Sequence, residues 1–356
     1  MKKALGKDII DKYLKKDIDD NIRSVAIDLI NFLSRKGYNV IKYIKRINNT
    51  RFFFFDSQKE CNKKFEYEID SKKIQKEIKW DEYEGLYVPV IDLNSKGQIT
   101  FVEHVCGFNL DSAIKLDNKM YKQKIIHELL HLFSAYGNVK KEGEFYIFYN
   151  GVNQIVFKIE NNKLKRKNEF GLEEINEAIT EHLANEIYKS LYDKNFFTAY
   201  EDFEGFRYPY INQYYLMTGF MRIINLFTNL STRIDKLLFS YLTNNLDYYL
   251  KDVENVLALN KDTFKELFYD LNIMIDSYIY SEKESFEKDF KKFICPLMKA
   301  LCHNLYVYIK ISDMKEEKKK ECVQKIEEYV KYLFSYPIFN LIQDDMNNYL
   351  KNVYDL

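Results

Sequence analysis

Two short segments with helical spacing constrain the fold of this chain more than any other feature of its sequence. The first reads HELLH at residues 127–131, and the second reads NEAITE at residues 176–181. Residues four apart lie one above the other on the same face of an α-helix. The two histidines of HELLH therefore point the same way, and so do the two glutamates of NEAITE. Each segment predicts a helix with a pair of ionisable side chains on one face.

The HELLH helix carries side chains that suit a metal site. The imidazoles of His127 and His131 lie one helical turn apart, so they can converge on one metal ion. A structural zinc site takes four protein ligands, whereas a catalytic site takes three and leaves a position for water. The third ligand must therefore come from elsewhere. Glu128 lies about 100° around the helix from His127, where its carboxylate can accept a proton from metal-bound water as a general base. The alternative is an ordinary amphipathic helix with core or surface histidines.

The NEAITE helix carries two glutamates, Glu177 and Glu181, away from its apolar face. That face consists of Leu172, Ile175, Ile179, Leu183 and Ile187. Two like charges at this spacing destabilise an isolated helix by about a few tenths of a kcal/mol, and a nearby cation reverses the sign of that contribution. The pair therefore indicates a cation beside the helix, and the alternative is a solvated acidic stripe.

Together, HELLH and INEAITE resemble the paired motifs of the gluzincin peptidases, most closely the thermolysin-like pattern of an HExxH helix followed by an N-E-A-x-[ST]-[DE] helix. The resemblance implies one catalytic Zn²⁺ bound by His127, His131 and Glu177, with Glu128 as the general base. It also implies that Glu181 accepts a hydrogen bond from a ligand histidine and fixes its tautomer. The activity that follows from it is hydrolysis of peptide bonds by metal-activated water.

The sequence around the two helices narrows this class. Forty-five residues separate His131 from Glu177, far more than in thermolysin. A metzincin would carry a glycine three residues and a histidine six residues after His131, where this chain has Ser134 and Gly137. The chain contains no G-x-M-E-N string, the element with which gluzincin aminopeptidases hold a substrate amino terminus. We therefore expect an endopeptidase that acts on peptide or protein substrates.

The motifs do not identify the residue that stabilises the oxyanion. Tyr208 and Tyr210 are candidates, although packing is the more common role in a chain with 30 tyrosines. His182 lies about 140° around the helix from Glu177, so we do not expect it to bind metal. Two other functions stay open, namely a non-catalytic helical interaction protein that keeps a zincin fold and a zinc hydrolase acting on non-peptide amides.

Composition and charge exclude some partners. Lys plus Arg and Asp plus Glu are equal at 54 each, so no net charge attracts nucleic acid or an anionic membrane, and we expect neither as a partner. No uncharged apolar segment approaches the roughly 18 residues of a membrane span, and the first residues show no signal-peptide pattern. Five dispersed cysteines without a CxxC pair indicate reduced thiols. We expect a cytoplasmic protein, with leaderless export left open, and the sequence does not determine the oligomeric state.

Apolar periodicity predicts an α+β fold in three parts. Residues 1–80 should form N-terminal helices at 8–36 followed by strands at 38–47 and 51–55. The other two parts are a zincin-type catalytic lobe, with a small β-sheet and the HELLH helix, at 81–200 and a mainly α-helical C-terminal lobe at 201–356. In that helical lobe Pro296 should kink or split a helix at 283–311.

Alternating patterns in the catalytic lobe predict two hairpins. The first pairs residues 86–93 with residues 98–105, and Pro89 favours an edge position for its first strand. The resemblance to gluzincin peptidases, which bind an extended substrate along an edge strand, makes residues 98–105 the candidate for that edge, and the alternative is a plain structural hairpin. The second hairpin turns at Asn150-Gly151. The basic cluster at 163–167 after it is expected to be a solvated turn.

Overall fold

The protein has an α+β fold, as its sequence predicts, and its described strands form two small β-sheets. The structure is a computed structural model, and it describes residues 5–56, 85–93, 98–109, 118–136, 139–161, 163–167, 172–194, 230–249, 251, 283–334 and 337–353. The described helices are α1 (Lys7–Tyr13), α2 (Asp20–Arg35), α3 (Ile41–Asn48), α4 (Asn118–Ser134), α5 (Glu173–Leu191), α6 (Leu230–Leu242), α7 (Lys283–Ile311), α8 (Glu316–Leu333) and α9 (Gln343–Val353), with a 3₁₀ helix at Pro337–Ile342. The described strands are β1 (Thr50–Phe55), β2 (Gly85–Leu93), β3 (Ile99–Asn109), β4 (Lys140–Glu142), β5 (Phe145–Asn150), β6 (Asn153–Glu160) and β7 (Lys163–Lys167).

Helix α2 begins at a side-chain cap and buries one apolar face. The Asp19 carboxylate accepts hydrogen bonds from the backbone N–H groups of Asn21 and Ile22 at 2.9 and 3.2 Å, which satisfies two donors that the helix itself leaves unpaired. Its buried apolar residues recur at helical spacing, namely Ile22, Val25, Ala26, Leu29, Ile30 and Leu33. The helices expected within residues 8–36 are confirmed.

Residues 41–48 form helix α3, so the strand expected at 38–47 is wrong. Its buried residues are Tyr43, Ile44 and Ile47, and this spacing fits one face of a helix rather than the alternate positions of a strand. The strand expected at 51–55 is confirmed as β1. Phe55 is buried there and the residues before it are half-buried.

The first sheet has the strand order β1-β3-β2. Strands β2 and β3 form the expected antiparallel hairpin, and β1 pairs with β3 in parallel. Residues 104–108 of β3 therefore have a strand on both sides, which removes only residues 104 and 105 from the substrate-binding edge expected at 98–105. The rest of that expectation stays a prediction. Among the described strands, β2 lies at an edge of this sheet, as Pro89 indicates, because an edge position tolerates the missing N–H of proline.

The second sheet contains the four strands β4-β5-β6-β7 in antiparallel order. The expected hairpin of β5 and β6 is confirmed, and Gly151 in its turn has φ +61°, a conformation that glycine adopts without strain. Lys163–Lys167 is strand β7 rather than the expected solvated turn. Its Lys165 and Lys167 ammonium groups lie 3.1 and 2.8 Å from the Glu160 carboxylate on β6, which supports the pairing.

The C-terminal helices bury apolar residues and expose charged ones. Helix α7 continues on both sides of Pro296, so it is not split there. Cys295 and Cys302 are buried free thiols, as are Cys106 and Cys322, in agreement with the reduced state expected from the sequence. Residues 201–229 and 252–282 of the expected helical lobe lie outside the described residues. Among the helices that are described, none has the length and apolar character needed to cross a membrane.

The chain divides into two compact units. One takes its residues from Met1–Gly171, Thr180–Tyr208 and Leu242–Asn244, and the other from Leu172–Ile179, Pro209–Tyr241 and Asn245–Leu356. Helix α5 runs without a break from Glu173 to Leu191. The three-part division expected from the sequence stays a prediction.

Candidate metal centre

The HELLH motif lies in the second half of helix α4, and the core holds this helix in place. Leu129, Leu130 and Phe133 are fully buried. At the C-terminal end, the Arg46 guanidinium donates hydrogen bonds to the backbone carbonyls of Leu132 and Phe133. A cation at this end satisfies carbonyls that lack a partner in the helix and complements its dipole. Core packing and the Arg46 hydrogen bonds therefore hold the helix from which the histidines project.

His127 and His131 are buried and face each other. Their Nε2 atoms lie 3.1 Å apart, and their ring centroids lie 4.8 Å apart with an angle of 63° between the ring planes. This is the convergence that the spacing of four residues predicts. Both rings direct the same nitrogen toward a common point, as two ligands of one metal ion do.

Glu177 completes a group of three possible metal ligands. One ligand atom each from His127, His131 and Glu177 lies within 4.8 Å of the others. Among the described residues, this is the only group of three or more His, Cys, Asp or Glu side chains that could hold a metal ion. Both histidines are buried and Glu177 is half-buried, so the group is in part accessible from solvent. Two imidazole nitrogens and one carboxylate oxygen that converge in this way could serve as the three protein ligands of a catalytic zinc site.

Glu181 lies one turn beyond Glu177 on the same helix and contacts His127, one of the three possible ligands. Its Oε2 atom accepts a hydrogen bond from His127 Nδ1 at 2.7 Å. A proton held on Nδ1 leaves the lone pair of His127 on Nε2, the nitrogen that faces His131. Carboxylates in this position orient metal-binding histidines and increase their basicity. The contact implied for Glu181 by the gluzincin resemblance is present.

Two further side chains of α4 hold the Glu181 carboxylate. Gln123 Nε2 donates a hydrogen bond to Glu181 Oε1 at 2.8 Å, and Lys124 Nζ lies 3.5 Å from Oε2. Glu181 is fully buried and Lys124 is 3% exposed. A buried carboxylate is stable when it is paired and its remaining lone pairs are hydrogen-bonded, and these contacts supply both conditions.

Sequence reasoning missed Gln123 and Lys124, although a signal was available. They precede His127 by four and three residues, so they lie one turn earlier on the same side of the helix. Polar residues on a buried helical face need a partner, and the acidic pair of the NEAITE helix was the natural one to consider.

Glu128 is buried beneath the first sheet. It is 5% exposed and lies against Gly85, the first residue of strand β2. It is also near Cys106 on β3, where burial and, to a smaller extent, the charge of Glu128 raise the pKa of the thiol. The proposed general base therefore lies between the HELLH helix and the strands that cover it.

Tyr87 on β2 covers the ring of His131. The two rings are nearly parallel, with centroids 6.2 Å apart and an angle of 9° between their planes. The Tyr87 hydroxyl lies 2.8 Å from His104 Nδ1 on β3. Burial, with a smaller contribution from Arg46, lowers the pKa of His104 to about 3, so this imidazole is neutral at physiological pH. No motif marks Tyr87 or His104, because their role depends on strand pairing between residues 17 positions apart.

The remaining candidates do not join the metal group. His182 is buried on α5 outside the three-residue group, as its position around the helix predicts. Tyr208 and Tyr210 lie outside the described residues. Comparisons with protein families, with curated proteins and with solved structures return no match. The kind of site therefore has to be inferred from the geometry and chemistry of its own residues.

Proposed function

We propose that this protein is a zinc-dependent peptidase, an endopeptidase with a zincin-type catalytic lobe of the gluzincin kind. The observation that carries the proposal is the convergence of His127, His131 and Glu177, with Glu181 hydrogen-bonded to one of the two histidines. The sequence pattern and the geometry both support it, since the pattern specifies residue types and the geometry gives distances across two helices.

The donor set suits Zn²⁺. Two imidazole nitrogens and one carboxylate oxygen are typical of catalytic zinc sites, whereas Mg²⁺ and Ca²⁺ prefer oxygen ligands throughout. When bound by such a set, zinc lowers the pKa of a water ligand toward neutrality and polarises a carbonyl group. Three protein ligands would leave a position for that water.

Residues of the chain supply proton transfer and hold the metal ligands in position. Glu128 accepts the proton of the attacking water and passes it to the leaving amine, as a general base that then acts as a general acid. Glu181 keeps His127 in the tautomer that offers Nε2 to the metal. Lys124 and Gln123 keep the Glu181 carboxylate in place.

We propose strand β2 as a second candidate for the substrate-binding edge, besides residues 98–103. Among the described strands it lies at an end of the sheet, and it begins at Gly85, beside Glu128. An extended peptide that added to this edge would form main-chain hydrogen bonds largely independent of its sequence. Its scissile bond would then lie near the proposed base.

The proposal is tested by mapping cleavage sites in a peptide library by mass spectrometry. Wild-type protein, with and without a chelator, is compared with the Glu128→Gln variant, and the zinc content of each sample is measured. We expect cleavage by the zinc-loaded wild type, with loss of cleavage in the chelator arm and in Glu128→Gln. Equal product patterns in all three arms would rule out metal-dependent hydrolysis. A Glu128→Gln variant that binds zinc and is as active as wild type in the biological assay of the protein would favour the non-catalytic interaction protein.

A further inference from the structure

We propose that Gly85 is a positioning residue for Glu128, because the missing side chain at the start of β2 leaves the space that the Glu128 side chain occupies. This inference depends on the proposed role of Glu128 as the general base. It assigns a function to a residue of the edge strand that no sequence motif marks.

The distances between the two residues are short. A Cβ atom at position 85 would lie 2.8 Å from Glu128 Oε1, 2.9 Å from Glu128 Cγ and 3.1 Å from Glu128 Cδ. Carbon atoms in non-bonded contact prefer separations of about 3.5–4.0 Å. Because Cγ is as close as the carboxylate oxygen, rotation of the carboxylate alone would not remove the clash. The torsions nearer to the helix would have to change, and these torsions place the base.

Neither residue can move away easily. Gly85 pairs with Phe108 in the hydrogen-bonded register of β2 and β3, so the strand backbone is restrained. Glu128 is buried beneath it. Gly85 does not have a positive φ, unlike Gly37, Gly143 and Gly151. An alanine at position 85 would therefore add a methyl group without straining the backbone, and its effect would be steric.

The consequence concerns proton transfer. A general base has to lie within hydrogen-bond reach of the proton that it abstracts, and a displacement of about 1 Å in a catalytic group can reduce the rate by about a hundredfold. The Gly85→Ala substitution should lower kcat by tenfold or more, in line with that magnitude. The zinc dissociation constant should stay near its wild-type value, since the metal ligands are untouched. The KM for peptide should change less than kcat, because a peptide added to β2 would bind through main-chain hydrogen bonds that a methyl group at position 85 does not remove.

The chain provides a matched control in the same sheet. A Cβ atom at Gly107 on β3 would lie 2.8 Å from Cζ of the Phe53 ring, which is the same degree of intrusion directed at a residue with no proposed catalytic role. Gly107 also lacks a positive φ. Gly107→Ala should disturb packing in the sheet and leave kcat near the wild-type value.

A second readout is independent of catalysis. In a thermodynamic cycle, Tm is measured for wild type, Gly85→Ala, Glu128→Ala and the double variant, all in the zinc-loaded form. Glu128→Ala removes Cγ and the carboxylate, so Gly85→Ala should lower Tm in the wild-type background and have little effect in the Glu128→Ala background. Gly107→Ala should lower Tm equally in both backgrounds.

The outcomes separate this inference from the proposed function. The inference is overturned if Gly85→Ala retains wild-type kcat, if Gly107→Ala lowers kcat as much, or if Gly85→Ala acts by weakening zinc binding. It is also overturned if the Tm changes of Gly85→Ala and Glu128→Ala are additive. Absence of chelator-sensitive cleavage by the wild type would contradict the peptidase instead, and the Tm cycle would still show whether position 85 sets the place of Glu128.

Discussion

The Oε2 atom of Glu181 lies 2.7 Å from Nδ1 of His127, and the two side chains are 0% and 3% exposed. Because the carboxylate accepts the Nδ1 proton, the lone pair of His127 stays on Nε2, 3.1 Å from Nε2 of His131. The geometry of the proposed metal site therefore depends on a residue that is not itself among the three ligands.

Glu181→Gln should weaken zinc binding by about 10–100-fold, the usual range for loss of a partner of a metal-binding histidine. The glutamine keeps the shape of the side chain and removes the charge that favours the Nδ1 proton. The zinc dissociation constant is measured by competition with a chromophoric chelator at fixed pH. Glu186→Gln is the control, since Glu186 is on the same helix and pairs with Lys189 near the surface. Equal zinc affinity in the two variants would contradict the role of Glu181.

Lys124→Met should destabilise the fold by about 3–5 kcal/mol, because it leaves the buried Glu181 carboxylate without its cation. Urea unfolding gives the free energy. Lys122→Met is the control, since Lys122 contacts the Tyr192 ring at 5.1 Å, and such a cation–π contact contributes about 0.5–1 kcal/mol at an exposed site. The Lys124→Met, Glu181→Gln double variant should be more stable than Lys124→Met alone. A double variant that is less stable than Lys124→Met would show that Lys124 does not stabilise the fold through its ion pair with Glu181.

Tyr87→Phe and Tyr87→Leu should separate two contributions of Tyr87. Phenylalanine keeps the ring that is parallel to His131 and removes the hydrogen bond to His104, so we expect a loss of about 1–3 kcal/mol in stability with little change in zinc affinity. Leucine removes the ring as well, and the zinc dissociation constant should rise. Chelator competition gives the zinc dissociation constant, and urea unfolding of the same samples gives the free energy of unfolding. Unchanged zinc affinity in Tyr87→Leu would show that the ring does not orient His131.

His104 should make the fold sensitive to acid. Its pKa is lowered from 6.5 to about 3 in the folded protein, so the unfolded chain binds a proton that the fold does not. Stability therefore falls as the pH falls from 6.5 toward 3, by up to about 1.4 kcal/mol per pH unit. His104→Gln, which cannot be protonated in this range, should lose stability less steeply. Urea unfolding between pH 7 and pH 4, with chelator in every sample, tests this, and parallel curves for the two proteins would contradict it.

The sequence was sufficient to predict those features that depend on residues close together in the chain. HELLH and NEAITE specify residues one helical turn apart, and the two histidines and Glu177 do come together. The hairpin at Gly151 was predictable for the same reason, since its turn chemistry lies within a few residues.

The sequence was insufficient where the structure depends on distant partners. Residues 41–48 form a helix because the core accepts one face of it, and their short apolar pattern fits a strand as well. The central position of β3 depends on its parallel pairing with β1, about 50 residues earlier, which no local pattern contains. Strand β7 is basic and would read as a solvated turn without Glu160 beside it.

The most direct measurement is the number of zinc ions bound per chain, determined by native mass spectrometry after reconstitution with limiting metal. We expect one zinc ion in wild type and in Glu128→Gln, and loss of that ion in His131→Ala and in Glu177→Ala under the same conditions. A wild-type chain that takes up no zinc, or a Glu177→Ala variant that holds it as firmly as wild type, would contradict the proposed metal centre.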